Sequence, residues 1–383
     1  MNFTFFNPVR LIFGQGEFSK LGIETSKLGK KALIVTYSGE PFDGFSKKAM
    51  EYLKEEGVEG AIFSDVEANP MASTVRKGAD LAQSEGCDVI IGLGGGSAMD
   101  TAKGIAFLTG KEGDIFDYIL GKKVGSDALP SVMLTTTAGT GSEGNWTAVF
   151  TNDETLEKKG LVNPLIYPKV SIVDFNFMKT LPKPLIAGPG LDALFHAFES
   201  YISKNANPMS EMYSLEAMRL SIEYLPKVYH NPEDNEAWEK VVIANTLAGI
   251  AIGCAGTTMP HAMGQPISGL LNVAHSDSLI CVYMPFMRFT ATHAPKKFAV
   301  LAKLMGCDVE HLSDVEAALL SIDAMESFIN SLDASKRLSD VGVKEEHLDI
   351  FADVTTNIMK VVLSNNPIVP TREQVKELYY ECL

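Results

Sequence analysis

The run Asp88-Val89-Ile90-Ile91-Gly92-Leu93 constrains this chain most, because it offers no polar side chain from residue 89 onwards, where a strand with one wet face would alternate. Such a strand must be covered on both faces, and the surrounding sequence supplies the covers. Ala32-Leu33-Ile34-Val35-Thr36 leads into a helical pattern over residues 44–57, and Ala61-Ile62-Phe63-Ser64 leads into another over 73–86. Strands alternating with helices predict an α/β domain with a parallel sheet. From residue 184 the texture changes to long helical patterns at 190–204, 209–226 and 235–255, which predict a helical second domain. The division falls at the hinge-like stretch Leu181-Pro182-Lys183-Pro184, since each proline disfavours helix at the residue before it. The expected domains are residues 1–183 and 184–383, with a cleft between them as the default place for a site.

With 383 residues, 46% of them hydrophobic and 21% charged, the chain can bury a core of this size. A formal charge of -15 opposes binding to phosphate polymers, so nucleic acid is excluded as a partner. The five cysteines form no CxxC pair, the N-terminus carries no secretory pattern, and no stretch gives about 18 uninterrupted apolar residues. A cytoplasmic protein outside the membrane is expected. Apolar helical faces over 184–383 predict a homo-oligomer, a dimer or larger.

After the buried strand, Gly94-Gly95-Gly96-Ser97-Ala98-Met99-Asp100-Thr101-Ala102-Lys103 runs straight into a helical stretch. Glycines there let backbone approach a ligand, and the free N–H groups of the new helix can face a diphosphate, with Ser97 able to cap the helix. The spacing is not the common GxGxxG fingerprint, and a plain tight turn explains three glycines equally well. A second loop, Thr135-Thr136-Thr137-Ala138-Gly139-Thr140-Gly141-Ser142-Glu143, follows the apolar run Val132-Met133-Leu134. So many hydroxyls after a strand suggest a loop wrapped round a ligand. Asn69-Pro70 marks a third loop at the same sheet edge, where ligands collect.

Asp192 and His196 are four apart, so a helix projects both from one face. His261 and His275 lie in largely uncharged sequence, whereas His230, His293, His311 and His347 sit near charged or Pro-rich loops and read as surface residues. One carboxylate and three imidazoles suit Zn²⁺ or Fe²⁺ and suit Ca²⁺ or Mg²⁺ poorly.

Taken together these motifs resemble the iron-containing, or group III, alcohol dehydrogenases. The likeness runs from Ile12-Phe13-Gly14-Gln15-Gly16 to Asn366-Pro367, through Gly94-Gly95-Gly96-Ser97 with Asp100 and Lys103, the Thr136–Glu143 loop, Asp192 with His196, and His261 with His275. The resemblance implies a Rossmann-like N-terminal domain and an all-α C-terminal domain, the dehydroquinate synthase-like fold. It implies an enzyme that moves hydride between NAD(P)(H) and a small alcohol or aldehyde at Fe²⁺ or Zn²⁺, with Asp192, His196, His261 and His275 as metal ligands. It further implies a cofactor site of Asn69, Gly95, Gly96, Ser97, Asp100, Thr136, Thr137 and Thr140, with Lys158 and Leu181 on the nicotinamide side.

Four positions depart from the family pattern. Gln265 stands where many relatives carry a second histidine; a neutral amide can orient a substrate hydroxyl but cannot relay a proton. Gly144-Asn145 replaces the usual Val-Thr, and Ser276 replaces a glycine. Tyr37-Ser38-Gly39 offers no carboxylate to a ribose 2′-hydroxyl, which favours NADP(H) with NAD(H) close behind. Sister enzymes of the 3-dehydroquinate synthase kind want Arg and Lys for a phosphorylated substrate, and none lie near Asp192, His261 or His275. A glycerol or diol dehydrogenase of the same fold is the closest alternative, and a non-catalytic metal- and dinucleotide-binding protein a more distant one. Phe150, Phe195, Met259 and Met263 are expected to form apolar walls around a short aliphatic substrate.

Overall fold

In a computed structural model, which describes residues 2–383, the alternating half of the chain builds one parallel sheet beside a small hairpin. The strands are β1 (Arg10–Phe13), β2 (Lys31–Val35), β3 (Glu59–Phe63), β4 (Val89–Gly94), β5 (Ser131–Thr135), β6 (Thr147–Thr151), β7 (Lys158–Val162) and β8 (Val170–Val173). The sheet order is β1-β8-β5-β4-β2-β3, and β6 pairs antiparallel with β7. Every residue of β4 is buried, as its apolar run requires, whereas the edge strand β3 is largely wet. Alternate residues Leu33, Val35, Ile90 and Met133 enter one core with residues of α3 (Ala72–Glu85) and α4 (Gly96–Leu108). Their neighbours Ile34, Ile91 and Leu134 point to the other face by the two-residue period of a strand and are equally inaccessible, so both faces are covered. Gly94 pairs with Thr135, which makes the loops after β4 and β5 leave the sheet side by side.

This unit spans Phe6–Thr180; a second compact unit holds Leu181–Leu383 together with the segment up to Phe5. Its first helices are α6 (Lys183–Ile202), α7 (Pro208–His230), α8 (Asn235–Ala255), α9 (Met259–Leu271) and α10 (His275–Thr290); α1 (Leu21–Thr25), α2 (Phe42–Glu55) and α5 (Ile115–Ile119) complete the first unit. Pro182 and Pro184 open α6, a position where a missing N–H costs nothing. Nearly all of α6 from Ile186 onwards is buried, against α7 and α8 among others. α8 is long and apolar enough to cross a membrane by length and composition, yet Trp238, Val241, Val242, Ala248 and Ala251 are buried inside the bundle. The chain ends with α11 (Pro295–Leu304), α12 (Asp314–Ser331), α13 (Leu348–Asp353), a π-helical turn at Val354–Ile358, α14 (Lys360–Ser364) and α15 (Arg372–Glu381).

Candidate functional site

Helix geometry puts Asp192, His196 and Glu199 on one face of α6, and the first turns of α9 and α10 bring His261 and His275 to them. Asp192 Oδ1 lies 3.6 Å from Nε2 of both His196 and His261, and those two nitrogens are 2.9 Å apart. Donor atoms of Asp192, His261 and His275 fall within 4.8 Å of one another. Ligands about 2.1 Å from a shared ion stand roughly 3.0–3.5 Å apart, so the spacing fits one transition-metal shell. The chemistry fits too. Asp192 Oδ1 is buried and accepts no hydrogen bond, a costly state that a cation relieves.

Burial would raise the Asp192 carboxyl, but His196, followed by His261 and His275, holds it down to about 2. Burial would lower His261, yet Glu199 and Asp192 lift it to about 9. Glu199 was missed in the sequence, although its spacing of seven from Asp192 and three from His196 was the signal. Fully buried, it accepts from His261 Nδ1 at 2.8 Å through one oxygen and from the Thr258 N–H at 2.7 Å through the other. A histidine held through Nδ1 presents Nε2 to the site. His230, His293 and His311 are exposed and His347 is half-buried.

Gln265 sits one turn beyond His261 on α9, 9% exposed, with an Oε1 that has no hydrogen-bond partner. Ser276 packs against Gly188, where a Cβ would lie 2.7 Å from its Oγ. The expected apolar walls are corrected: Phe150, Phe195, Met259 and Met263 are all 0% exposed. Phe150 belongs to the core of the α/β unit, over Gly104, and Phe195 stacks on Tyr283 at 3.5 Å.

The three small-residue loops of the α/β unit converge. The N-terminus of α4 opens at Gly95 with no side-chain cap, leaving its first N–H groups to a ligand. Ser97 does not cap it; lying inside the first turn, it donates to the Ala68 carbonyl at 2.5 Å and ties the Asn69 loop down. Lys158 donates to Asn69 at 2.9 Å. A Cβ on Gly95 would come 3.0 Å from Thr137 Oγ1, and one on Gly96 2.4 Å from Thr140 Cγ2, so the second loop lies directly against the first. The Thr136 N–H donates to the Gly94 carbonyl at 3.0 Å. Tyr37 packs over Gly94, and its hydroxyl turns back to Ser97 and Ala98 instead of outward.

Lys103, 0% exposed, fixes the second loop: Nζ donates to the carbonyls of Ser142 (2.6 Å) and Thr147 (2.9 Å), to Ser142 Oγ (2.8 Å) and to Asn145 Oδ1 (3.2 Å). Asp100 accepts from Ser142 Oγ at 2.6 Å and from the Val149 N–H at 2.8 Å, so both of its oxygens are spent on the protein. Asn69, Gly95, Gly96, Ser97, Asp100, Thr136, Thr137, Thr140 and Lys158 thus gather in one unit, while Leu181 belongs to the other, just ahead of α6.

Two family models match the chain, iron-containing alcohol dehydrogenase over residues 8–175 and the C-terminal part of the Fe-containing alcohol dehydrogenase family over 186–383. The chain is 34% identical to an NAD-dependent methanol dehydrogenase of Bacillus methanolicus, covering 99% of this chain and 100% of that one. A 1,3-propanediol dehydrogenase of Klebsiella pneumoniae is 36% identical over 92% of both chains. Among solved structures, a 1,3-propanediol oxidoreductase superposes with a TM-score of 0.94 at 34% identity over the full length of each chain.

Proposed function

This chain belongs to the iron-containing alcohol dehydrogenase family, and on that premise we propose that it interconverts a small alcohol and its aldehyde with a nicotinamide dinucleotide and a divalent metal. The observation that carries the reading is the set of buried Asp192, His196 and His261 with half-buried His275 around an acceptor with no donor of its own. These four residues would hold the ion, and Gly95, Gly96, Ser97, Asn69, Thr136, Thr137, Thr140 and Lys158, with Leu181 and the Asp100 strut, would serve the dinucleotide. When bound, the ion supplies Lewis acidity at the reacting oxygen and the dinucleotide carries the hydride. The residues supply fixed positions: Glu199 sets His261, Lys103 and Asp100 set the hydroxyl-rich loop, and the bare N-terminus of α4 meets negative charge.

The NAD-dependent relative supports NAD(H), and Tyr37-Ser38-Gly39, with no carboxylate to repel a 2′-phosphate, supports NADP(H) in the same cradle. A diol or hydroxyaldehyde substrate is favoured by Gln265, whose buried, unpartnered Oε1 can accept from a second hydroxyl. Five free thiols support a reducing, cytoplasmic setting, and exposed Val315 and Leu319, one turn apart on α12, support self-association through the helical unit, which light scattering reads. The deciding experiment strips the metal, restores Fe²⁺ or Zn²⁺, and follows butyraldehyde reduction with NADH and with NADPH. Metal-restored turnover is the expected result; no turnover of aldehydes or diols with either ion and either cofactor, while the dinucleotide still binds, would sink the reading.

A further inference from the structure

We infer that Tyr379 and Thr355, which reach the α9 backbone from far downstream in the chain, are positioning residues that set the turn of α9 bearing His261 and Gln265. The inference rests on the metal reading of Asp192, His196, His261 and His275. α9 carries Pro266 in its interior, so the donor that would close on the Ala262 carbonyl is missing and the helix is weakened one turn after His261. Two side chains from the end of the chain meet the helix there. Tyr379 donates to the Met263 carbonyl at 2.7 Å, and Thr355 Oγ1 lies 2.8 Å from Tyr379 Oη and 3.4 Å from the Ala262 carbonyl.

Each hydroxyl has one proton to give. With the tyrosine proton committed to Met263, the threonine proton serves the tyrosine oxygen and faces Ala262 at the longer distance. The relay therefore has one direction, Thr355 to Tyr379 to Met263. Both residues are 0% exposed, and Thr355 is the buried residue of the π-helical turn, a form often kept at functional sites. Burial raises the Tyr379 phenol, so it stays a donor across the working pH range. Met263 is two residues from His261 on one side and two from Gln265 on the other. Clamping its carbonyl fixes the rotation of the turn and with it the aim of both side chains.

The test uses Co²⁺ in the full-length protein, with affinity from competition against a chelating dye and ligand geometry from the cobalt d–d bands. Tyr379→Phe and Thr355→Val are each expected to weaken cobalt roughly 3- to 10-fold and shift the bands, a smaller effect than deleting a direct partner of a ligand. Thr355→Ser keeps the hydroxyl and is expected to match the parent. The double variant should be no worse than the worse single, because both remove one relay. Unchanged cobalt affinity and bands in Tyr379→Phe and Thr355→Val, with only a lowered melting temperature, would overturn the inference. If Tyr379→Phe does not fold, the contrast between Thr355→Val and Thr355→Ser decides the same question. Parent protein that takes up no cobalt would remove the metal reading and this inference with it, which separates the two failures.

Discussion

Replacing Glu199 by Gln changes one atom and should cost the metal site dearly. The carboxylate accepts from His261 Nδ1 at 2.8 Å with one oxygen, and from the Thr258 N–H at 2.7 Å and Thr258 Oγ1 at 3.2 Å with the other, all in a fully buried setting. An amide has one acceptor oxygen, so it can serve only one side. If that oxygen faces His261, an NH₂ group meets the Thr258 N–H and leaves a buried donor unpaired, at about 1–3 kcal/mol. If it faces Thr258, the NH₂ group meets Nδ1 and drives the imidazole to the tautomer protonated at Nε2, the nitrogen that points at Asp192 and His196. Either arrangement predicts roughly a 10- to 100-fold loss of metal affinity. Equilibrium dialysis against graded chelator, with retained metal measured at each step, gives the number directly. A Glu199→Gln protein within twofold of the parent would refute the claim that Glu199 sets the coordinating tautomer.

Burial pulls the Lys103 ammonium down to about 8 against Asp100 and Glu143, so above that pH a neutral amine has two N–H groups for four acceptors and the loop loosens. The dinucleotide KM should therefore rise above pH 8 while this lysine's share of stability rises too, from pH 8 towards 10.5, because a folded-state value below the unfolded one makes deprotonation favour the native state; a KM flat from pH 7 to 10 would contradict the clasp. Gly96→Ala places a Cβ 2.4 Å from Thr140 Cγ2 and should weaken NADH binding by about tenfold or more, read by fluorescence titration, with metal content unchanged. Gln265→Ala should lower kcat/KM for 1,3-propanediol relative to 1-butanol by about 5- to 30-fold, the worth of one hydrogen bond; equal losses on both would take Gln265 out of substrate selection.

The sheet was legible because its signals are local. A strand with no polar position must lie between two others, and Val89–Gly94 lies between β2 and β5. The glycine and threonine loops were legible as a pair for the same reason, each marking the end of a buried strand. Phe150 misled because hydrophobicity near a loop says nothing about direction: it points into the space that Gly104 leaves on α4, and that space is set by a contact across the unit. Tyr379 and Thr355 were out of reach altogether, since contacts spanning 116 and 93 residues leave no periodic trace.

The helix-borne acids show why residue type alone could not assign roles. Asp100, Asp192 and Glu199 are all carboxylates on helices within apolar sequence, and spacing alone ranks Glu199 as high as His196. Their surroundings separate them. Desolvation raises the Asp100 carboxyl against Lys103, and both its oxygens are taken by Ser142 and Val149, so nothing is left to offer a ligand. Glu199 is likewise saturated, by His261 and Thr258, and so acts on the site only through the imidazole it holds. Asp192 alone of the three keeps an oxygen without a hydrogen bond, in a ring of imidazoles that holds it ionised. A buried acceptor with nothing to accept costs free energy in the folded chain, and a cation is the group that returns it. Of these three, the carboxylate that the protein fails to satisfy is therefore the one assigned to the metal.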